Sequence, residues 1–295
     1  TLLASSAASD VYKRQGIQYL RSGGGDPQAA ECFDLKDRGA IAPGYRGDVV
    51  LLDDLKDFHV NRVFVEGTLV AEEGKYLPEI KKCDISSVKG SVIVKDFSKE
   101  KFKMNLKSNK VNVIKILPGG VVTAKDTAEI ELDANREFVR NPEVDLVKVA
   151  VVERHQGTGN VACGFLKGYG IKEGAVALSV AHDSHNIIVV GVNDEEMEFA
   201  VNSLIEQEGG IVLVKEGKVI ESMPMPIAGL MSDQSGEWVD QKLTDIHEKA
   251  YEELGICGDV EPVMTLCFMS LAVIPEIKLT DMGSVSYTHL RAHET

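Results

Sequence analysis

The sequence has no CxxC pair, and its five cysteines (Cys32, Cys83, Cys163, Cys257 and Cys267) form no even framework. That excludes a disulfide-stapled secreted scaffold and fits a compartment where thiols stay reduced. Basic residues are outnumbered, with 32 lysines and arginines against 46 aspartates and glutamates, for a formal net charge of -14. Such a surface repels phosphate backbones and anionic lipid, so neither nucleic acid nor a membrane is an expected partner. No apolar run approaches bilayer-crossing length, and the first residues lack the charged-then-apolar layout of a secretory signal. The expected location is the cytoplasm. Also missing are GxSxG, a Walker loop, a dinucleotide fingerprint followed by an acid, HExxH, and the HxE and PCxxC of the zinc nucleobase deaminases. Common acyl, phosphoryl and hydride chemistries therefore have no recognisable foothold.

What is present suits a folded protein. At 295 residues and 44% hydrophobic content, the chain can bury a sizeable core, and its length favours two domains. "DPQAAECFDLKD" (26–37) reads as a helix capped by Asp26 with Pro27 at its first position. "VVLLD" then suits a strand buried on both sides, and "VNRVFVEGTLVAEEGK" reads as a hairpin turning at Glu66-Gly67. Residues 78–110 are polar and lysine-dotted, as in a linker leading to a second domain. Strand-like runs follow at 111–117, 129–133, 146–153, 175–181, 186–192 and 210–225. Two amphipathic helices are expected, one after an Asp194 cap and ending at Gly209, the other in "SGEWVDQKLTDIHEKAYEELG" and ending at Gly255. Strands following strands with few crossover helices imply an α+β second domain. The two ends, residues 1–15 and about 284–295, continue neither period and resemble translated adaptor read-through, so His289 and His293 carry no weight as a metal pair.

Two polar clusters stand at strand ends, where sites are commonly built. "AHDSHN" (181–186) holds His182, Asp183, Ser184, His185 and Asn186, and "ERHQGTGN" (153–160) holds Glu153, Arg154 and His155. Asp183 could orient His182 or His185 as an acid/base pair, or it could tie down a hydrogen-bonded turn with Asn186; these readings stand level. A self-contained metal site is weaker, because neighbouring donors rarely complete a coordination shell. Gly157 and Gly159 without a following helix are a weak anion signal, and Cys163 reads as a small buried thiol before a nucleophile. "PMPIAGLMS" (224–232) reads as a proline-fixed turn lined with methionine.

The long motifs "VVERHQGTGN", "GFLKGYGIKEGAVALSVAHDSHNIIVVGVNDEEMEFAVN", "PMPIAGLMS" and "FMSLAVIPEIKLTDMG" closely resemble the carboxy-terminal domain of the bacterial adenine deaminases of the amidohydrolase superfamily. "ECFDLKDRGAIAPGYRGDVVLLDDL" resembles the segment of those enzymes that completes a small β-sandwich, with Gly47 where they usually carry alanine, an exchange expected to be harmless. The resemblance implies a β-sandwich remnant and the end of a barrel helix over 16–80, then a mixed α/β carboxy-terminal domain over 90–283, with the catalytic barrel largely absent. It implies adenine as substrate, hydrolysed to hypoxanthine and ammonia, and a divalent metal (manganese, iron or zinc) in the whole enzyme, which is expected to be a homo-oligomer. The metal ligands of that family lie upstream of what this chain contains, so no metal and no turnover are expected of it alone. His182, Asp183, His185 and Glu153 are then candidate auxiliary catalytic or substrate contacts, and Arg154, His155, Ser184 and Asn186 candidate purine contacts. Two other readings remain: a non-catalytic oligomerisation or regulatory domain, and an amidohydrolase acting on another cyclic amine or amide.

Overall fold

The computed structural model describes residues 2–3, 27–54, 56–119 and 121–286. The chain forms two compact units, Thr1–Cys83 and Asp84–Thr295. In the first, β1 (Leu2–Leu3), β2 (Val49–Leu52), β3 (Val60–Val65), β4 (Thr68–Glu72) and β5 (Lys75–Tyr76) pair antiparallel in sequence order. Leu2 and Leu3 thus take part in a sheet, although they fall in the stretch read as foreign. The β3–β4 hairpin turns at Glu66 (φ 51) and Gly67 (φ 75), the left-handed pair that a tight hairpin turn requires. Gly47 packs against this turn. A Cβ there would lie 3.0 Å from the Gly67 nitrogen, so alanine is tolerated only if the turn gives by a few tenths of an ångström.

Two expectations for this unit need correction. Helix α1 (Pro27–Cys32) stops well short of residue 37, because Asp34 turns left-handed (φ 54) and Leu35 N closes on Ala30 O at 2.7 Å. The Asp26 cap lies outside the described residues. The apolar run of β2 is half-buried along its whole length, not covered on both sides. Ala30 is the one buried apolar residue among the described residues before Phe102.

The second unit is built on an eight-stranded sheet. Its strands are β6 (Lys110–Ile116), β7 (Thr123–Glu129), β10 (Leu146–Val152), β11 (Val161–Lys167), β12 (Ala175–Leu178), β13 (Ile187–Gly191), β14 (Gly210–Lys215) and β15 (Lys218–Pro224), in the order 15-14-12-13-10-11-6-7. The pairing is antiparallel throughout except between β11 and β6. Short strands β8 (Glu131–Leu132) and β9 (Phe138–Val139) pair beside it. Strand β10 is wholly buried, and its alternation divides the core. Ala150 and Val152 pack under α2 (Asp194–Glu206) with Met197, Ala200, Val201 and Leu204. Val147, Val149 and Val151 belong to the opposite core, with Ile246 and Ala250 of α3 (Gly236–Glu252), Leu266 of α4 (Pro262–Cys267) and Leu279 of the hairpin β16 (Ile277–Thr280)–β17 (Gly283–Ser286). Each buried valine, leucine, isoleucine or methionine among them contributes about 1.5–3 kcal/mol by leaving water. The result is mostly sheet with few helices, an α+β arrangement.

Three local readings change. Asn193, not Asp194, caps α2 by accepting from Glu196 N at 2.8 Å. Asp194 instead pairs with the buried Lys148 of β10 at 2.7 Å. Strands β7 and β11 were not foreseen, and Ser284, Val285 and Ser286 pair in register with β16 although they were set apart as a tail.

Candidate functional site

Strand β10 ends at Val152, and the next two residues are a buried glutamate and a buried arginine. One Glu153 oxygen accepts from His155 N (2.6 Å) and Gln156 N (2.8 Å), the other from Thr158 N (2.9 Å) and Thr158 Oγ1 (3.0 Å). Burial works against its charge, but the amides of Thr158, Gln156 and His155 outweigh that and hold its pKa at about 2. It is an ionised loop organiser whose oxygens are already engaged.

Arg154 is 1% exposed and joins three segments. Its Nε donates to His185 O at 2.5 Å, its Nη2 to Ala228 O at 3.2 Å, and its backbone N to Asn186 Oδ1 at 3.3 Å. Burial lowers its pKa, and Nη1 has no hydrogen-bond partner.

The 182–186 segment connects β12 to β13. His182 N donates to Cys267 O at 2.8 Å, and its ring stacks on Phe268 with centroids 4.9 Å apart at 18°. Asp183 Oδ1 lies 3.1 Å from His182 Nδ1, and both side chains reach solvent. His185 is left-handed (φ 51), its N closes on Ala181 O at 2.5 Å, and its Nδ1 is buried without a partner. Burial, then the neighbouring His182 and Arg154, lower its pKa. His155 Nε2 lies 2.7 Å from Ser184 O; a carbonyl only accepts, so this nitrogen carries the proton.

The structure therefore brings together all eight residues singled out in the two clusters. It also adds members that the sequence did not flag. Asn186 Nδ2 and Asn160 Nδ2 donate to the two oxygens of Asp281 at 3.3 and 3.4 Å. Ser179 Oγ donates to Gly229 O at 2.6 Å and accepts from Gly210 N at 2.7 Å, anchoring the turn that holds Ala228. The only local signal was the place of Asp281 inside "KLTDMG", of Ala228 and Gly229 inside "PMPIAGLMS", and of Asn160 at the end of "ERHQGTGN". Cys163 lies apart, its thiol pushed up to about 12 by burial, which leaves it unreactive. Two clefts of about 230 and 260 Å³ open elsewhere, and neither is lined by a residue of the two clusters.

The donor set does not suit a cation. Among the described residues no group of three or more His, Cys, Asp or Glu is placed to hold a metal ion. The buried Arg154 guanidinium beside His185 adds positive charge where a cation would need negative.

A family model for the adenine deaminase C-terminal domain matches residues 120–291. The chain belongs to that family. The match runs beyond 283 into the segment read as a tail. Adenine deaminase 2 of Desulfotalea psychrophila is 65% identical over 260 residues, covering 88% of this chain and 45% of the relative. The adenine deaminase of Ligilactobacillus salivarius is 47% identical over 256 residues, covering 87% and 44%, and adenine deaminase 2 of Carboxydothermus hydrogenoformans is 44% identical over 257, covering 87% and 45%. The chain thus spans somewhat under half the length of these adenine deaminases.

Proposed function

We propose that this chain is the carboxy-terminal part of a cytoplasmic adenine deaminase, which hydrolyses adenine to hypoxanthine and ammonia. The observation that carries the reading is the 65% identity to an adenine deaminase over 260 residues. The reading calls for a divalent metal (manganese, iron or zinc), and nothing among the described residues fits one. We assign the metal to a part of the enzyme that this chain does not hold, and a homo-oligomer to the whole.

Within this chain, His182 is the group free to meet a purine. Asp183 holds Nδ1 and Phe268 backs the ring, which leaves Nε2 to accept a proton and return it to departing ammonia. Asp183 and Ser184, both exposed, complete the contact surface. Glu153, Arg154 and Asn186 hold the loops in shape, which also favours a second reading, that the cluster is a structural junction in an oligomerisation or regulatory domain.

Fusing this chain to the upstream half of the Desulfotalea relative and assaying ammonia release from adenine tests the first reading. The fusion should turn over and the isolated chain should not. Turnover unaffected by His182→Ala in the fusion would favour the junction. An inactive but folded fusion, or activity in the chain alone, would sink the proposal.

A further inference from the structure

His182, the group proposed to meet the purine, shares its loop with His185. Between Ala181 and Ile187 the chain is left-handed at His185, and Asp183 and Ser184 point to solvent. Cys267 and Phe268 hold the loop at His182, His155 meets it at Ser184 and Asp281 at Asn186, and at His185 one side chain ties it from beneath. Arg154 reaches the backbone carbonyl of His185 with Nε and the carbonyl of Ala228 with Nη2, so a single rigid guanidinium sets the separation of two segments. The fork is itself seated: a Cβ at position 229 would stand 2.7 Å from Nη1 and 3.0 Å from Cζ, so only glycine lets the guanidinium lie there. Gly229 is in turn tied by its carbonyl to the buried Ser179 hydroxyl, at the end of the strand that leads into the loop. Ser179, Gly229, Arg154 and His185 form one closed circuit from strand to turn to loop.

We propose that Arg154 is a positioning residue, clamped on Gly229, that sets the backbone of His185 and with it the His182–His185 pair, and that substrate does not touch it. This rests on the adenine deaminase reading above. It also departs from the expectation that Arg154 binds the purine: its Nε and Nη2 are committed to carbonyls, its unpaired Nη1 lies buried against Gly229, and 1% of the residue is exposed.

The test uses Arg154→Gln, Gly229→Ala and Ser179→Ala, which attack the circuit at three points, the last two with the guanidinium intact. Each is made in the active fusion and in the 295-residue chain. In the fusion, kcat should fall by about tenfold to hundredfold with KM little changed, the signature of misplaced reacting groups. In the chain, the ring nitrogen resonances of His185 should shift, while those of His247 on α3 should hold and report an intact second unit. Should Arg154→Gln lose the His247 signal, the two milder variants decide. A folded variant with unchanged kcat and unchanged His185 resonances overturns the proposal, as does a rise in KM alone, which would make Arg154 a substrate contact. Unfolding of all three would overturn it too, in favour of a purely structural role. If the wild-type fusion itself fails on adenine, the functional reading falls, and the His185 spectrum alone decides whether the clamp exists.

Discussion

At position 153 a buried carboxylate is held by three backbone amides and a hydroxyl, and its pKa sits at about 2. In the unfolded chain the same group titrates near its ordinary value of 4.5. A depressed folded pKa stabilises the native state above the unfolded value and loses that contribution as pH falls from about 4.5 towards 2. The shift corresponds to a stabilisation on the order of 3 kcal/mol at neutral pH. Glu153→Gln should therefore lower the melting temperature at pH 7 and flatten its decline between pH 4.5 and 2, as followed by thermal unfolding across that range. A parallel decline in variant and wild type would show that the loop does not depend on the charge. The two loop clusters could be read from the sequence because each is contiguous and polar between apolar runs. Asp281, Ser179 and Gly229 could not, because their partners lie 95, 31 and 50 residues away in the chain and no local pattern marks them.

Among the elements, both long helices followed from their period of apolar residues, and both stop near a left-handed glycine, Gly209 and Gly255. The cap of α2 was misplaced by one residue because Asp and Asn serve equally well there, and only tertiary structure reveals that Asp194 is taken by Lys148. The two residues should behave differently when replaced. Asn193→Ala loses one capping bond and should cost about 1 kcal/mol. Asp194→Ala leaves the Lys148 ammonium buried without its counter-ion and should cost about 3–5 kcal/mol. Denaturant unfolding of both variants checks the ranking, and equal losses would mean that Lys148 finds another way out of its burial. Strand β7 escaped notice because "TAKDTAE" is an edge strand with small and charged residues, and β11 because Gly164 interrupts its apolar run, giving room to Leu279.

For the whole molecule, the α+β class was legible from the run of strands with few helices, but the unevenness of the two units was not. Pattern tells which face of a strand is apolar; it does not tell whether anything covers that face. The second unit has a core on both sides of β10, whereas in the first Ala30 alone is buried among the described residues. Cutting the chain at 84 should therefore leave residues 84–295 folding cooperatively, with a dispersed NMR spectrum, and residues 1–83 without a stable fold. A cooperative melt of the shorter piece would contradict this. No helix among the described residues is long and apolar enough to cross a membrane.

The junction beneath the histidines also bears on the order in which the protein assembles. Besides the nearer bonds between the ends of β10 and the 182–186 loop, its hydrogen bonds close loops of 74, 95 and 121 residues, and each of these needs two distant segments already side by side. The complete cluster is therefore expected to close late in folding and to lose its long-range bonds early in partial opening. A molecule whose last hairpin has frayed would keep most of its sheet while losing the Asp281 bonds that tie Asn160 to Asn186.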